Sequence, residues 1–404
     1  MGLKAKHSLS FFILIACILL QSCINTSLYK PLPQNLEKVA YIRGFNKVRA
    51  FGDGSSIAME LSAQKSITQM LNENQGRLPK ELNALALSGG GADGAFGAGL
   101  LYGWSKSGKR PVFHLVTGIS TGALIAPFAF LGSDYDEQLK AIYTSLSDKH
   151  IFEYNNVFSI IFSYIKPILR PSIASNKPLE RVISKVINQS MLEQIKKEHL
   201  KGRRLFIGTT QLNAQRLVIW DIGAIAVIGG RDALNLVHKI LLASSALPGI
   251  FPPQYFLVVA NQKNYKEMHI DGGVVNQVML YERAIVPFAQ IYVNNKTNLI
   301  KRLYIIRNSK VTPEWKNVIP LLHDILGRVI LTLTKNQGIG DLYRLYAFAV
   351  RDHIDYNLAY IPNNFKQHSN TLFDTKYMNN LFNLGEKLSI KGYPWEKYPP
   401  GLHN

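Results

Sequence analysis

Two cysteines, Cys17 and Cys23, are all that the 404-residue chain has. Once a leader ending before Cys23 is removed, no thiol except that of Cys23 is left, which excludes an internal disulfide framework and a cysteine-based metal site. Long membrane-spanning runs are missing as well. The apolar run from Leu9 to Leu20 follows Lys4, Lys6 and His7, a pattern of about signal-peptide length and too short for a span. The sequence also lacks fixed-period repeats, low-complexity segments, and helix-turn-helix, zinc-finger or RNA-binding signatures. Its formal charge is +19, but apart from KKEHLKGRR at 196–204 the basic residues are dispersed. An anionic membrane surface is therefore the expected partner, and nucleic acid is not.

What is there reads as a folded enzyme-sized protein. Apolar residues make up 47% and charged residues 18% of the chain, enough for one large core. The leader stops at LLQSC, a stretch that looks like a bacterial lipobox, so Cys23 is the expected site of lipidation. The expected organisation is a signal peptide over 1–22, a lead-in over 23–81, a catalytic core over 82–285 and a C-terminal elaboration over 286–404. The expected location is the cell envelope of a Gram-negative bacterium, as an exported, membrane-anchored lipoprotein.

Periodicity sharpens from Leu82 onward. LNALALS reads as a buried strand, 94–106 as a helix, PVFHLVTG as a strand and STGALIAPFAFLG as an apolar helix stopped at Gly132. The aromatic-rich HIFEYNNVFSIIFSYIKPILRP fits no period; it is either a lid or membrane-facing insertion or a set of core helices. Two strands joined by a polar turn fit 204–222, then a helix ended by Pro248, a strand breaking at Gly272 and Gly273, and the strand RLYIIRNS. Farther on, 314–334 is expected as a surface helix whose apolar stripe His323, Asp324 and Arg328 interrupt. LAYIP reads as a strand and YMNNLFNLGEKLSIKG as a last helix capped by Gly392. Alternating strands and helices predict an α/β fold around a mostly parallel sheet.

The chemistry concentrates in three places. GISTG at 118–122 matches G-x-S-x-G between an apolar strand and an apolar helix, where a nucleophile elbow has to sit; Gly118 and Gly122 clear space for a sharp turn that lifts Ser120 to a helix N-terminus. A serine needs a base, and Asp271 ends a strand before two glycines; the same Asp-Gly pair equally suits a tight type I′ turn. The third place is Gly89, Gly90 and Gly91. Together with Gly94 they satisfy G-x-G-x-x-G, but no Asp or Glu occurs between Asp93 and Asp134 to hold a ribose, and no G-K-[ST] follows. An oxyanion hole needs only backbone N–H groups, which a glycine loop at a helix start supplies.

These blocks give the chain a family resemblance. GGGADGAFGAG at 89–99, GISTG at 118–122, ASSALPGIFPP at 243–253 and DGG at 271–273 resemble, in order, the motifs of the patatin-like phospholipases. The resemblance frames about half of the chain and implies a three-layer α/β/α fold and acyl-ester hydrolysis by a Ser-Asp dyad, without metal or organic cofactor. It makes Ser120 the nucleophile and Asp271 the base, and it lines the oxyanion hole with Gly89, Gly90 and Gly91. The substrate would be a phospholipid or another acyl-ester lipid. Family members commonly carry Arg or Lys where this chain has Asp93, which is expected to fold back as a helix cap. An exposed aspartate is a weak base, so Asp271 needs a dry site, and Ile270, Val274 and Val275 suit one. His269 is expected to be a surface or core histidine. Two rivals stand beside this reading: an α/β-hydrolase esterase whose base is His323 or His353, and a non-catalytic lipoprotein that keeps the fold.

Overall fold

A computed structural model gives the structure of the chain and describes residues 29–151, 153–154, 172, 174–280, 299–369 and 371–402. The leader, Cys23 and nearly all of the aromatic-rich section lie outside the described residues. Nine strands form one sheet: β1 (Arg49–Phe51), β2 (Glu81–Leu87), β3 (Leu115–Ile119), β4 (Arg204–Gln211), β5 (Arg216–Asp221), β6 (Gln254–Ala260), β7 (Lys263–Asp271), β8 (Ile300–Arg307) and β9 (Asp355–Tyr360). Their order is β1-β5-β4-β3-β2-β8-β9, with β7 paired to β4 and β6 to β7. Strands β4, β3, β2, β8 and β9 run parallel, while β1, β5, β6 and β7 add antiparallel pairs at one side.

Strand alternation divides the core in two. Leu85, Leu87, Val116, Leu205, Ile207 and Ile306 point into one cluster, and Ala86, Leu115, Ile119, Phe206, Leu303 and Ile305 into the other, as a sheet covered on both faces requires. Over the first face lie α2 (Gly94–Lys106), α3 (Thr121–Leu131), α4 (Asp136–Ser145), α5 (Lys177–Val186), α6 (Gln189–Leu200), α7 (Ile222–Ile228), α8 (Gly230–Ser244) and α10 (Thr375–Ser389). Over the second lie α1 (Ile57–Glu73), through Met59, and α9 (Leu322–Arg351), through Leu342, Leu345 and Phe348. The fold is thus the three-layer α/β/α type.

Helix α3 is apolar on all sides because all sides are covered: among its residues only Leu124 and Leu131 keep partial exposure. Helix α2 packs against α10 through glycines, since a Cβ at Gly99 would collide with the Phe382 carbonyl and one at Gly103 with the Ser389 hydroxyl. One helix departs from expectation. Residues 314–321 are not helical, and α9 starts after Pro320 and runs on to Arg351. Gly338 and Gly340 do not interrupt it; a side chain at Gly338 would overlap the Arg307 guanidinium, so this glycine marks a close approach inside a continuous helix.

Candidate active site

The register of β4 brings the chemistry together. Ile119, the last residue of β3, lies opposite Gly208, and the next position on the same edge of β4, Thr209, lies opposite Asp271 at the end of β7. The chain turns away at Ser120 just where Asp271 takes over the edge. Ser120 adopts φ 54°, ψ −124°, a conformation that costs a non-glycine residue about 1–3 kcal/mol and persists only when its surroundings enforce it. A Cβ at Gly118 would strike the Gly122 backbone, and one at Gly122 would strike the Leu87 carbonyl; both glycines are therefore conditions of the turn. The Ser120 N–H donates to Ser244 Oγ at 3.0 Å, and Ser244 Oγ donates to the Gly208 carbonyl at 2.7 Å. This brace ties the elbow to β4.

Asp271 is 4% exposed. Burial pushes its pKa up to about 6, against hydrogen bonds from the Ser120 side chain and the Gly273 N–H that pull it down; the latter is 2.7 Å long. Neither Gly272 nor Gly273 has a positive φ, so the type I′ turn is not what forms here; residues 272–274 make a 3₁₀ turn. The glycines serve close packing instead. A Cβ at Gly272 would come within 2.6 Å of the Gly208 carbonyl, and one at Gly273 within 3.0 Å of Asp271 Oδ1.

The triple glycine faces the same corner, and its members differ. Gly89 lies directly against the elbow, since its Cβ would be 3.2 Å from that of Ser120. Its N–H, however, donates to the Gln277 carbonyl at 2.9 Å, so Gly89 lines the corner without offering a donor. The N–H groups of Gly90 and Gly91 have no acceptor among the described residues. Gly91 has φ +56° and open space around it, whereas a Cβ at Gly90 would overlap the Asn308 carbonyl. Asn308 also fixes the loop from below. It donates from its backbone to Ser88 Oγ at 2.8 Å and from its side chain to the Ser88 carbonyl at 2.9 Å, and it accepts from Gly97 N–H at 3.1 Å.

Asp93 is not the expected cap. It makes no side-chain cap bond; its carboxylate instead accepts from Tyr377 Oη of α10 at 2.7 Å. The reason is packing, because α10 lies so close to α2 that a phenol is within reach before the helix N–H groups are. Burial raises the Asp93 pKa to about 6, with the Tyr377 bond acting downward.

His269 is a core histidine, fully buried. It meets Thr209 Oγ1 at 2.9 Å and Glu267 at 3.2 Å, and Glu267 is ion-paired to Arg49; burial lowers the His269 pKa. His353 is exposed beside Asp355 at the start of β9, the opposite end of the parallel strands from Ser120. His323 lies in the first turn of α9, some 20 Å along the helix from the part that reaches the site. Among the described residues, no cluster of His, Cys, Asp and Glu could hold a metal ion.

Several supporting residues escape a motif search. Gln277 Nε2 donates to the Gly273 carbonyl at 2.7 Å. Asp341 of α9 accepts from Gln277 N–H at 2.6 Å and Asn276 Nδ2 at 2.9 Å. Arg307, buried at the end of β8, donates to Gln277 Oε1 at 3.4 Å, and burial lowers its pKa to about 10. Only Ser244 had a sequence signal, since it lies inside the ASSALPGIFPP block.

Residues 85–282 match the family model described as patatin-like phospholipase. Among solved structures, the crystal structure of VipD from Legionella pneumophila is similar at 12% sequence identity and a TM-score of 0.31, covering 78% of this chain and 67% of that one. No curated protein matches the chain. Residues 85–282, which contain the elbow, the glycine loop and Asp271, thus form a patatin-like phospholipase domain.

Proposed function

We propose that the protein is a serine lipid acyl hydrolase of phospholipase A or lysophospholipase type, working through Ser120 and Asp271. The observation that carries this reading is the pairing of a strained serine with a buried carboxylate on consecutive positions of one strand edge. Ser120 Oγ attacks the ester carbonyl carbon as its proton passes to Asp271. The carbonyl oxygen becomes an oxyanion, for which the N–H groups of Gly90 and Gly91 are the available donors. Collapse of the tetrahedral intermediate breaks the bond to the alcohol, which takes the proton from Asp271 and departs. Water then gives a proton to Asp271 and attacks the acyl-enzyme; the proton returns to Ser120 Oγ as the fatty acid leaves.

A base with pKa about 6 suits this work better than an exposed aspartate, because it is ionised at neutral pH yet binds a proton more firmly. The leader and Cys23 add the proposal that the mature enzyme is anchored to an envelope membrane. A fluorophosphonate probe and fatty-acid release from phospholipid vesicles test the reading together. Wild type is expected to be labelled and active, and Ser120→Ala neither; equal labelling of the two, or none of the folded wild type, removes the nucleophile from the proposal.

A further inference from the structure

Residues 309–336 form an arm that the catalytic chemistry does not use. It leaves the sheet at Asn308, whose carbonyl lies against Gly90. It returns at Gln337, which donates to the Val274 carbonyl at 3.3 Å, and at Gly338, which lies against Arg307. Both roots thus stand beside the glycine loop and the turn after Asp271. Between them the first half of α9 extends about 24 Å, and none of the described side chains there is buried before Gly338.

The arm is two-sided. On one side Lys335 reaches the Thr312 carbonyl at 2.8 Å and Glu314 at 2.6 Å, and Arg328 bonds the Glu314 carbonyl, strapping residues 310–321 to the helix. On the other side, at 100° per residue, Ile325, Val329, Leu322, Leu333, Leu326 and Ile330 fall within about 140° of arc. All six are exposed, Leu322 at 73% and Leu333 at 64%. The strap adds Trp315, at 92% exposure the most open large apolar side chain among the described residues, together with Ile319. An apolar face of this extent is not left to water without a use.

We propose that this arm inserts its apolar face into the acyl region of a bilayer containing anionic lipid, setting the mouth of the Ser120 site against the membrane. The proposal rests on the lipid hydrolase reading above. Its chemistry fits an interfacial element rather than a span: no helix among the described residues is long and apolar enough to cross a membrane. The arm carries Lys310, Lys316, Arg328 and Lys335 against Glu314 and Asp324, on a chain of formal charge +19, so an anionic surface complements it.

Trp315 supplies the test. The other tryptophans are Trp104 and Trp220, which are buried, and Trp395, which is partly buried; none lies in residues 1–28. Full-length protein is mixed with phosphatidylglycerol/phosphatidylcholine vesicles whose acyl chains are brominated. Tryptophan emission is expected to be quenched in wild type and not in Trp315→Phe. A Leu326→Gln/Ile330→Gln double variant, which keeps helix-forming residues at exposed sites, should hydrolyse vesicle lipid at least about tenfold more slowly while cleaving a dissolved short-chain ester within about twofold of wild type. The proposal is overturned if Trp315 stays unquenched while the protein sediments with vesicles, or if the double variant attacks vesicles as wild type does. It is equally overturned if Trp315 is already shielded from an aqueous quencher without lipid, or if the double variant splits a dimer of wild type. A wild type that cleaves no dissolved ester but is quenched would sink the hydrolase reading and leave the arm standing.

Discussion

Two carboxylates near the glycine loop have almost the same proton affinity and opposite surroundings. Asp271 and Asp93 are both raised to about 6, in each case mainly by burial. Asp271 ends a strand beside the strained Ser120 and receives the Gly273 N–H; Asp93 sits at the start of α2 and is held by the Tyr377 phenol. A raised pKa by itself therefore does not identify a base. What separates the two is register: β4 delivers Asp271 to the position next to the elbow, whereas Asp93 is turned away from it onto α10.

The largest expected effect breaks the pair apart. Asp271→Asn keeps the shape and the Gly273 hydrogen bond but cannot take the serine proton, and kcat/KM for vesicle lipid should fall by about 10³–10⁴-fold. Asp93→Asn, equally isosteric, should stay within about threefold of wild type. Activity of wild type should rise with pH through about 6 as Asp271 loses its proton, and that limb should persist in Asp93→Asn. If the limb instead vanishes in Asp93→Asn, the roles assigned to the two carboxylates are reversed.

The same contrast separates what sequence can carry from what it cannot. The elbow was legible because it needs Gly118 and Gly122 at fixed offsets around Ser120, all within five residues. The α/β class was legible from the strands around it, such as LNALALS and RLYIIRNS, and the last helix from its apolar period. The partner of Asp93 was not: Tyr377 is 284 positions away in the chain, and nothing local distinguishes a carboxylate that caps its helix from one drawn to a phenol on the next. Which N–H of the triple glycine is already bonded was not legible for a similar reason, since the bond from Gly89 N–H to the Gln277 carbonyl is a long-range one. α9 starts later than expected, after Pro320, and runs farther than expected, through Gly338, which lies against Arg307, a contact invisible to any local rule.

A smaller effect concerns stability. Because the folded-state pKa of Asp271 is raised from 3.8 to about 6, the folded protein carries an ionisation penalty of about 3 kcal/mol that is absent below pH 3.8 and complete above pH 6. Asp271→Asn removes the penalty. The variant should therefore be more stable than wild type at pH 8 by up to about 3 kcal/mol in denaturant unfolding, and the gain should shrink as pH falls toward 4. A variant less stable than wild type at pH 8 would mean that the corner is not the dry site described for Asp271.

The smallest effect sharpens the other side of the comparison. Tyr377→Phe leaves Asp93 without its phenol donor, and the carboxylate, still partly buried, should bind its proton more tightly than before. The cost falls on the ionised form: about 1.5 kcal/mol of stability at pH 8, where Asp93 is charged, and less at pH 5, where it is mostly protonated. Hydrolysis should be nearly unaffected at either pH, because the proposed donors, the N–H groups of Gly90 and Gly91, are backbone groups in a loop that Asn308, and not the Asp93 carboxylate, holds in place. Unfolding and activity measured on one preparation decide the matter. A loss of activity larger than the loss of stability would tie the phenol to the glycine loop and make Asp93 part of the proposed catalytic site instead of its neighbour.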